Sequence, residues 1–358
     1  MTGKERILTS MRGQEVDRLT FCPFLAYWWE HNKKPTDDSI SFLRYIDADI
    51  FLRGSCFMYN VGRKNHTMRE NTNGYTRTRT YSTKRGELTA EYTYSPLANS
   101  WFLVKHPVKT EADFRLLKNI FEDIELTANY QEFDNQFAKV GELGLVTPCI
   151  GIDYKTAFQA MVEYWMGTVE LNYALCDFPD VVEDTLAVMQ KVNTKAAEIT
   201  FSHNNCDAVV FFEDSSTRNV SPTQFEKYAL PEIESWTKTA HQAGKLLIHH
   251  ACGDLKHLLP QIKKSGIDCL ESISPPPTGD VELWDATKIL GPDVSLAGGI
   301  EPTIFENYDK KSLTKYVENL LERMPARGFL VSNSDSCPPG VEEWKFRLVA
   351  DIVKRWKV

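Results

Sequence analysis

The sequence predicts an α/β fold: one (β/α)8 TIM barrel spanning residues 1–358, with an antiparallel β excursion inserted at 56–107. Three observations predict it. Eight short apolar runs recur as candidate strands, at 20–25, 47–53, 144–149, 207–213, 245–250, 267–273, 294–299 and 328–333. From the third onward a helical pattern separates each from the next, the signature of βα units on a parallel sheet, and eight such units close naturally into a barrel. The sequence also lacks the fully spaced Gly-rich phosphate loop that a doubly wound open sheet would lead one to expect.

In chain order, Thr2 followed by Glu5 is a capping-box pattern opening a helix to about Met11. LTFCPF is the first strand, and an aromatic cluster, Tyr27-Trp28-Trp29-Glu30, begins where it ends. Such a cluster either packs under a neighbouring loop or walls a pocket for an apolar or cationic group. SFLRYIDADIFLRG gives a helix and then the second strand, ending near Arg53. Asn73-Gly74 and Arg85-Gly86 punctuate period-two runs, which predicts hairpins within 56–107. Arg77, Arg79 and Arg85 there read as solvated strand faces or as an anion-binding set. Helical patterns follow at 111–122, 130–139, 157–165, 169–178, 179–201, 222–243, 255–266, 280–290, 311–324 and 341–356, with Pro179 at a first turn, where proline is favoured.

At 42% hydrophobic and 25% charged residues, the composition is that of an ordinary globular protein. No apolar stretch approaches membrane-span length, so no membrane association is expected. The net charge of −8 has its signs interspersed, which argues against a nucleic-acid surface. Eight cysteines without CxxC pairs, in a chain with no secretion signal at its start, point to reduced thiols and a cytoplasmic location. Cys22, Cys149 and Cys269 lie in apolar runs and read as core residues.

Barrel active sites form at the C-terminal ends of the strands. KLLIHHACGDL carries His250 and Cys252 there, on one side of an extended chain because side chains repeat with period two. Imidazole and thiol are zinc donors; equally, a histidine and a small buried thiol can simply pack. A third donor favours the metal. Cys337, in SDSCPPG after the last strand, opens onto the same mouth. One His and two Cys with an open fourth position is a catalytic style of zinc site. Glu213 and Asp214 end the adjoining strand and are the catalytic candidates, supplying an oxygen ligand or orienting substrate; alternatively Glu213 pairs with a neighbouring charge. His249 points away from His250 and is expected to pack outside against a helix. Tyr27, Trp28, Glu30 and Asn333 are the expected substrate-binding residues.

The frame of TGKERILTSMRGQEVDRLTFCP, LLIHHACGDLKHLLPQIKKSGIDCLE, SLAGGIEPTIF and SDSCPPGVEEW resembles the uroporphyrinogen decarboxylase superfamily. Its decarboxylase branch carries an arginine-bearing motif after the first strand; this chain has LAYWWEHN there. Its methyltransferase branch, including methylcobalamin:coenzyme M methyltransferases, carries H-x-C and a distant cysteine as zinc ligands, which match His250, Cys252 and Cys337. The SDSCPP context departs from that branch's glycine-rich one. The resemblance implies a zinc-dependent methyltransferase moving a methyl group between a corrinoid (cobalamin) on a partner protein and a small molecule. That molecule is a thiol acceptor, or a methoxy or methylamine donor.

Two other readings stand beside it. A cofactor-free decarboxylase of a tetrapyrrole or other acid needs cations at the mouth, and among the strand-end residues only Arg53 qualifies. A non-catalytic binding protein could also keep the barrel.

Overall fold

The computed structural model describes residues 1–33 and 38–357. Their strands are β1 (Thr20–Phe21), β2 (Ile50–Leu52), β3 (Tyr59–Arg63), β4 (His66–Asn73), β5 (Thr76–Thr83), β6 (Gly86–Ser95), β7 (Ser100–Lys105), β8 (Ile124–Ala128), β9 (Gly144–Val146), β10 (Ala208–Glu213), β11 (Leu246–Ala251), β12 (Cys269–Ile273), β13 (Ser295–Ile300) and β14 (Phe329–Asn333). Two compact units are present. The first comprises Met1–Met58, Tyr130–Cys149 and Thr200–Val358; the second comprises Tyr59–Asn129 and Ile150–Ile199.

The first unit carries the eight predicted strands, all parallel. Six form one sheet in the order β1-β14-β13-β12-β11-β10, and β2 pairs with β9. Two short joints link this pair to the six-stranded sheet. Asp49 N–H donates to the Phe21 carbonyl at 2.8 Å, and Val210 N–H donates to the Pro148 carbonyl at 3.1 Å, where Cys149 bridges Val210. At the first joint the Asp49 carboxylate also accepts from Phe21 N–H at 3.0 Å, its charge matched by Arg18 at 2.7 Å and Arg6 at 3.4 Å.

Strands buried on both faces read as near-continuous apolar runs, and β11 is buried at every position. Alternation still sorts the two sides. Cys22, Phe51, Leu145, Cys149, Ala208, Val210, Leu246, Ile248, Cys269, Ala297 and Leu330 share one interior cluster with Ile7, Leu8 and Met11 of the helix Gly3–Met11. That helix forms as its capping box predicts: Glu5 N–H donates to Thr2 Oγ1 at 3.1 Å, and Thr2 N–H to Glu5 Oε2 at 2.8 Å. Burying Ile7 completely is worth about 1.5–3 kcal/mol. Cys22, Cys149 and Cys269 are core residues, as expected.

The expected helix at 222–243 is interrupted. Residues Phe225–Ala229 form a π turn before the helix Leu230–Gln242. Pro231 has no N–H to give to the preceding turn, so the ladder cannot run through it regularly. Among the described residues no helix is long and apolar enough to cross a membrane.

In the second unit β4-β5-β6-β7 form an antiparallel sheet, and β3 pairs with β8. The β4–β5 turn is the predicted one, with Gly74 at φ +58°, where glycine carries no steric penalty. Arg77 and Arg79 pair with Glu70 on the neighbouring strand, and Arg85 donates to Asn119 at 3.0 Å. The helices Glu111–Glu122 and Pro179–Phe201 match their predicted spans.

Candidate active site

His250 lies in phase with Leu246 and Ile248, so its imidazole is on the interior side of β11. Its register partner on β12 is Glu271, and Nδ1 stands 3.1 Å from Glu271 Oε1. The other carboxylate oxygen accepts from Arg53 Nε at 2.7 Å. Arg53 and Glu271 side chains are 1% and 2% exposed, so this is an ion pair inside the barrel. Burial by itself would raise the Glu271 carboxyl, but the Arg53 charge and the His250 bond outweigh it and hold the group below its ordinary range. A carboxylate can only accept here, so Nδ1 meets it as the donor. Nε2 points toward Asp335, 3.8 Å away. Phe212 tilts against the imidazole at 4.8 Å, and Phe24 meets it edge-on at 5.4 Å. A buried non-glycine residue at positive φ, Ser272 at +82°, follows Glu271 at a register shift in β12. Strain of this kind persists only where packing imposes it.

In metal sites a carboxylate placed this way fixes the ring and tautomer of the ligating histidine from the outer shell. The inner shell is not gathered. Cys252 is half-buried, its Sγ 3.6 Å from the Glu213 carbonyl oxygen. Cys337 is fully buried, its backbone N–H bonded to the Phe24 carbonyl at 3.0 Å, and burial pushes its thiol well above the ordinary value. Among the described residues no group of three or more His, Cys, Asp or Glu side chains is arranged to hold a metal ion. His250, Cys252 and Cys337, the expected donors, are therefore not drawn together into a metal site among the described residues.

Glu213 ends the adjoining strand, as expected, but it does not share the His250 side. The interior residues of β10 are Ala208 and Val210, with Phe212 packed against them. Glu213 alternates to the opposite face. There its Oε2 accepts from Ser215 Oγ at 3.0 Å and lies 3.3 Å from His249 Nε2, all three residues buried. The expected catalytic glutamate is thus a buried partner of His249. The latter stacks on Phe211 at 4.3 Å, and Phe211 in turn packs on Trp236 of the helix Leu230–Gln242, the outward packing expected of it. Asp214 accepts from Asn219 Nδ2 at 3.1 Å in the loop after β10. Gly253, at φ +92°, lets the β11 loop close on this one: a Cβ there would lie 2.5 Å from that of Ser216.

The aromatic cluster divides. Trp28 is 3% exposed, stacked on Phe42 at 4.6 Å and against Phe346 of the C-terminal helix at 5.2 Å, with Nε1 donating to the Val341 carbonyl at 2.7 Å. It is a core residue, packed rather than open to solvent. Tyr27 is 45% exposed, and Glu30 pairs with Lys33 at the surface. Asn333 is committed to backbone: Oδ1 accepts from Phe24 N–H and Nδ2 donates to the Phe24 carbonyl, both at 2.8 Å, leaving it a strap between β14 and the β1 loop. Arg53 ends the second predicted strand and Glu271 lies within the predicted strand 267–273, but their pairing across the barrel is not visible in sequence. Phe24 and Phe212 were missed; the alternation of β10 signals the second.

A model of the uroporphyrinogen decarboxylase (URO-D) family matches residues 156–356. The chain is 20% identical over 262 residues to the uroporphyrinogen decarboxylase of Gloeobacter violaceus, covering 70% of this chain and 71% of that protein. A 95-residue stretch, 26% of this chain, is 30% identical to a methylated-thiol–coenzyme M methyltransferase of Methanosarcina mazei, of which it spans 23%. Among solved structures, a methyltransferase from Methanosarcina mazei shares the fold, with a TM-score of 0.63 over 98% of both chains at 11% identity.

Proposed function

Because the chain belongs to the uroporphyrinogen decarboxylase (URO-D) family, we propose that it is a zinc-dependent methyltransferase of that family. In this reading it moves a methyl group between a corrinoid on a partner protein and a small thiol, methyl ether or methylamine. The observation that carries the proposal is the Arg53–Glu271–His250 chain, which sets Nε2 as a donor two residues before Cys252. The methyltransferase relative of Methanosarcina mazei supports the same reading.

His250, Cys252 and Cys337 are the proposed ligands. Zinc, when bound, favours the thiolate form of a coordinated thiol at neutral pH. The chain's own part is narrower. Arg53 neutralises Glu271, Glu271 orients His250, and Phe24 and Phe212 cover the imidazole with apolar surface.

The rival reading, a decarboxylase, draws support from the longer alignment with the Gloeobacter enzyme. It needs cations to grip carboxylates. Arg53, the one strand-end arginine, has its guanidinium buried against Glu271.

The test is spectroscopic. Zinc-loaded protein is mixed with methylcobalamin and a small thiol, or with cob(I)alamin and a methylated donor, and the cobalt state is followed by absorbance. Transfer abolished by a chelator is the expected result. Turnover of uroporphyrinogen at a rate untouched by chelators would overturn the proposal.

A further inference from the structure

Within the second unit a cavity of about 260 Å³ opens among Arg79, Tyr81, Tyr92, Asp153, Tyr164 and Trp165. It is smaller than the roughly 300–1,000 Å³ of pockets for drug-sized ligands, so an occupant would be small. Its walls are mostly aromatic, and its charges are unevenly matched. Arg79 is paired with Glu70 at 2.9 Å, and Lys155, beside the cavity, is paired with Glu163. Asp153 accepts a hydrogen bond from Trp165 Nε1 at 3.0 Å and has no ion-pair partner among the described residues. Burial raises its carboxyl above the ordinary range. The phenols add no second negative charge: burial pushes Tyr81 up to about 12, and Tyr92 upward as well. Lys155 and Arg79 attract this carboxylate at longer range but are themselves paired elsewhere, and a cation set directly against it would offset the remaining cost of its burial.

The rings already hold cations. Lys155 Nζ lies 4.4 Å from the Tyr164 ring centroid, and the Arg79 guanidinium 5.5 Å from that of Tyr92. One carboxylate is too few oxygens for a hard metal ion, which takes six or so. Aromatic faces around a lone carboxylate instead suit a weakly hydrated organic cation. We propose that this cavity binds a small alkylammonium ion, its charge set between the Asp153 carboxylate and the faces of Tyr81, Tyr92 and Trp165. The site belongs to the second unit and does not depend on the proposed methyl transfer.

Choline and tetramethylammonium are the probes, titrated into the full-length protein by calorimetry and by Trp165 fluorescence, with 3,3-dimethyl-1-butanol as the uncharged isostere of choline. The expected result is saturable binding of both cations and at least about tenfold weaker binding of the isostere. Asp153→Asn keeps an acceptor for Trp165 Nε1, so the fold should survive, and cation affinity should drop about tenfold or more. Equal binding of choline and its isostere by the wild-type protein would overturn the proposal, whatever the variant does. So would failure of both cations to bind at millimolar concentration, or an unchanged affinity in a folded Asp153→Asn protein.

Discussion

Glu271 and His250 face each other across adjoining strands, Oε1 to Nδ1 at 3.1 Å, while the second oxygen of the same carboxylate grips Arg53. The arrangement separates two effects. Glu271→Ala strands a buried guanidinium and should cost about 3–5 kcal/mol of stability, read by denaturant unfolding. Glu271→Gln can still accept from Arg53, so its stability loss should be smaller. Its amide then meets Nδ1 as a donor and drives the ring proton to Nε2. Zinc affinity should fall about 10–100-fold, measured by competitive chelator titration. Unaltered affinity in the glutamine variant would sever Glu271 from metal binding.

Zinc should be present at about one atom per chain, and His250→Ala or Cys252→Ser should remove it or greatly weaken its binding. Elemental analysis of metal-replete protein decides this. Cys337→Ser is the sharper variant, because Cys337 is fully buried and its thiol is held protonated by burial. Zinc content that does not respond to it would leave the metal and remove the third ligand.

Acid stability should carry a contribution from Asp123. Burial alone would raise this carboxyl, but the N–H groups of Asn65 and His66, with their side chains, hold it at about 2. Its folded value lies below its unfolded one, so the unfolded chain takes up the proton more readily. The stabilisation is complete above the ordinary carboxylate range and is lost as pH falls toward about 2. Asp123→Asn should lower stability at neutral pH and flatten the acid limb of the unfolding curve. An acid limb identical to wild type would refute the assignment.

Trp28→Ala should act on stability. The ring is packed between Phe42 and Phe346, so its loss should cost about 3–5 kcal/mol in chemical denaturation. Tyr27→Ala, at an exposed position, should cost under about 0.5 kcal/mol. A larger loss for Tyr27 than for Trp28 would reverse this division of the cluster.

The barrel strands were legible because burial on both faces writes continuous apolar runs, and the hairpins because Asn-Gly and Arg-Gly mark their turns. The side chosen by each strand-end residue was harder to read. His250 follows from period two on β11, and the same count on β10 sends Glu213 away from it, a step that needs the register between the two strands. Trp28 shows a second limit. An aromatic after a strand looks alike in sequence whether it meets a ligand or the C-terminal helix, which lies more than 300 residues further along. The π turn before Pro231 had a visible cause, but the helical periodicity on either side masked it.

The barrel is not equally strong all round. From β10 through β14 the strands share ladders of three to six register pairs and β1 joins β14 through two, whereas the β2–β9 pair meets its neighbours through two short joints, Asp49 to Phe21 and Pro148 to Val210. Segments sharing few backbone bonds open at lower free energy than the whole, and their amides exchange with solvent first. Arg53 directly follows β2, so each such opening draws the guanidinium away from Glu271 and unfastens the anchor of His250. The hold on the imidazole would then depend on this seam as well as on the residues that touch it.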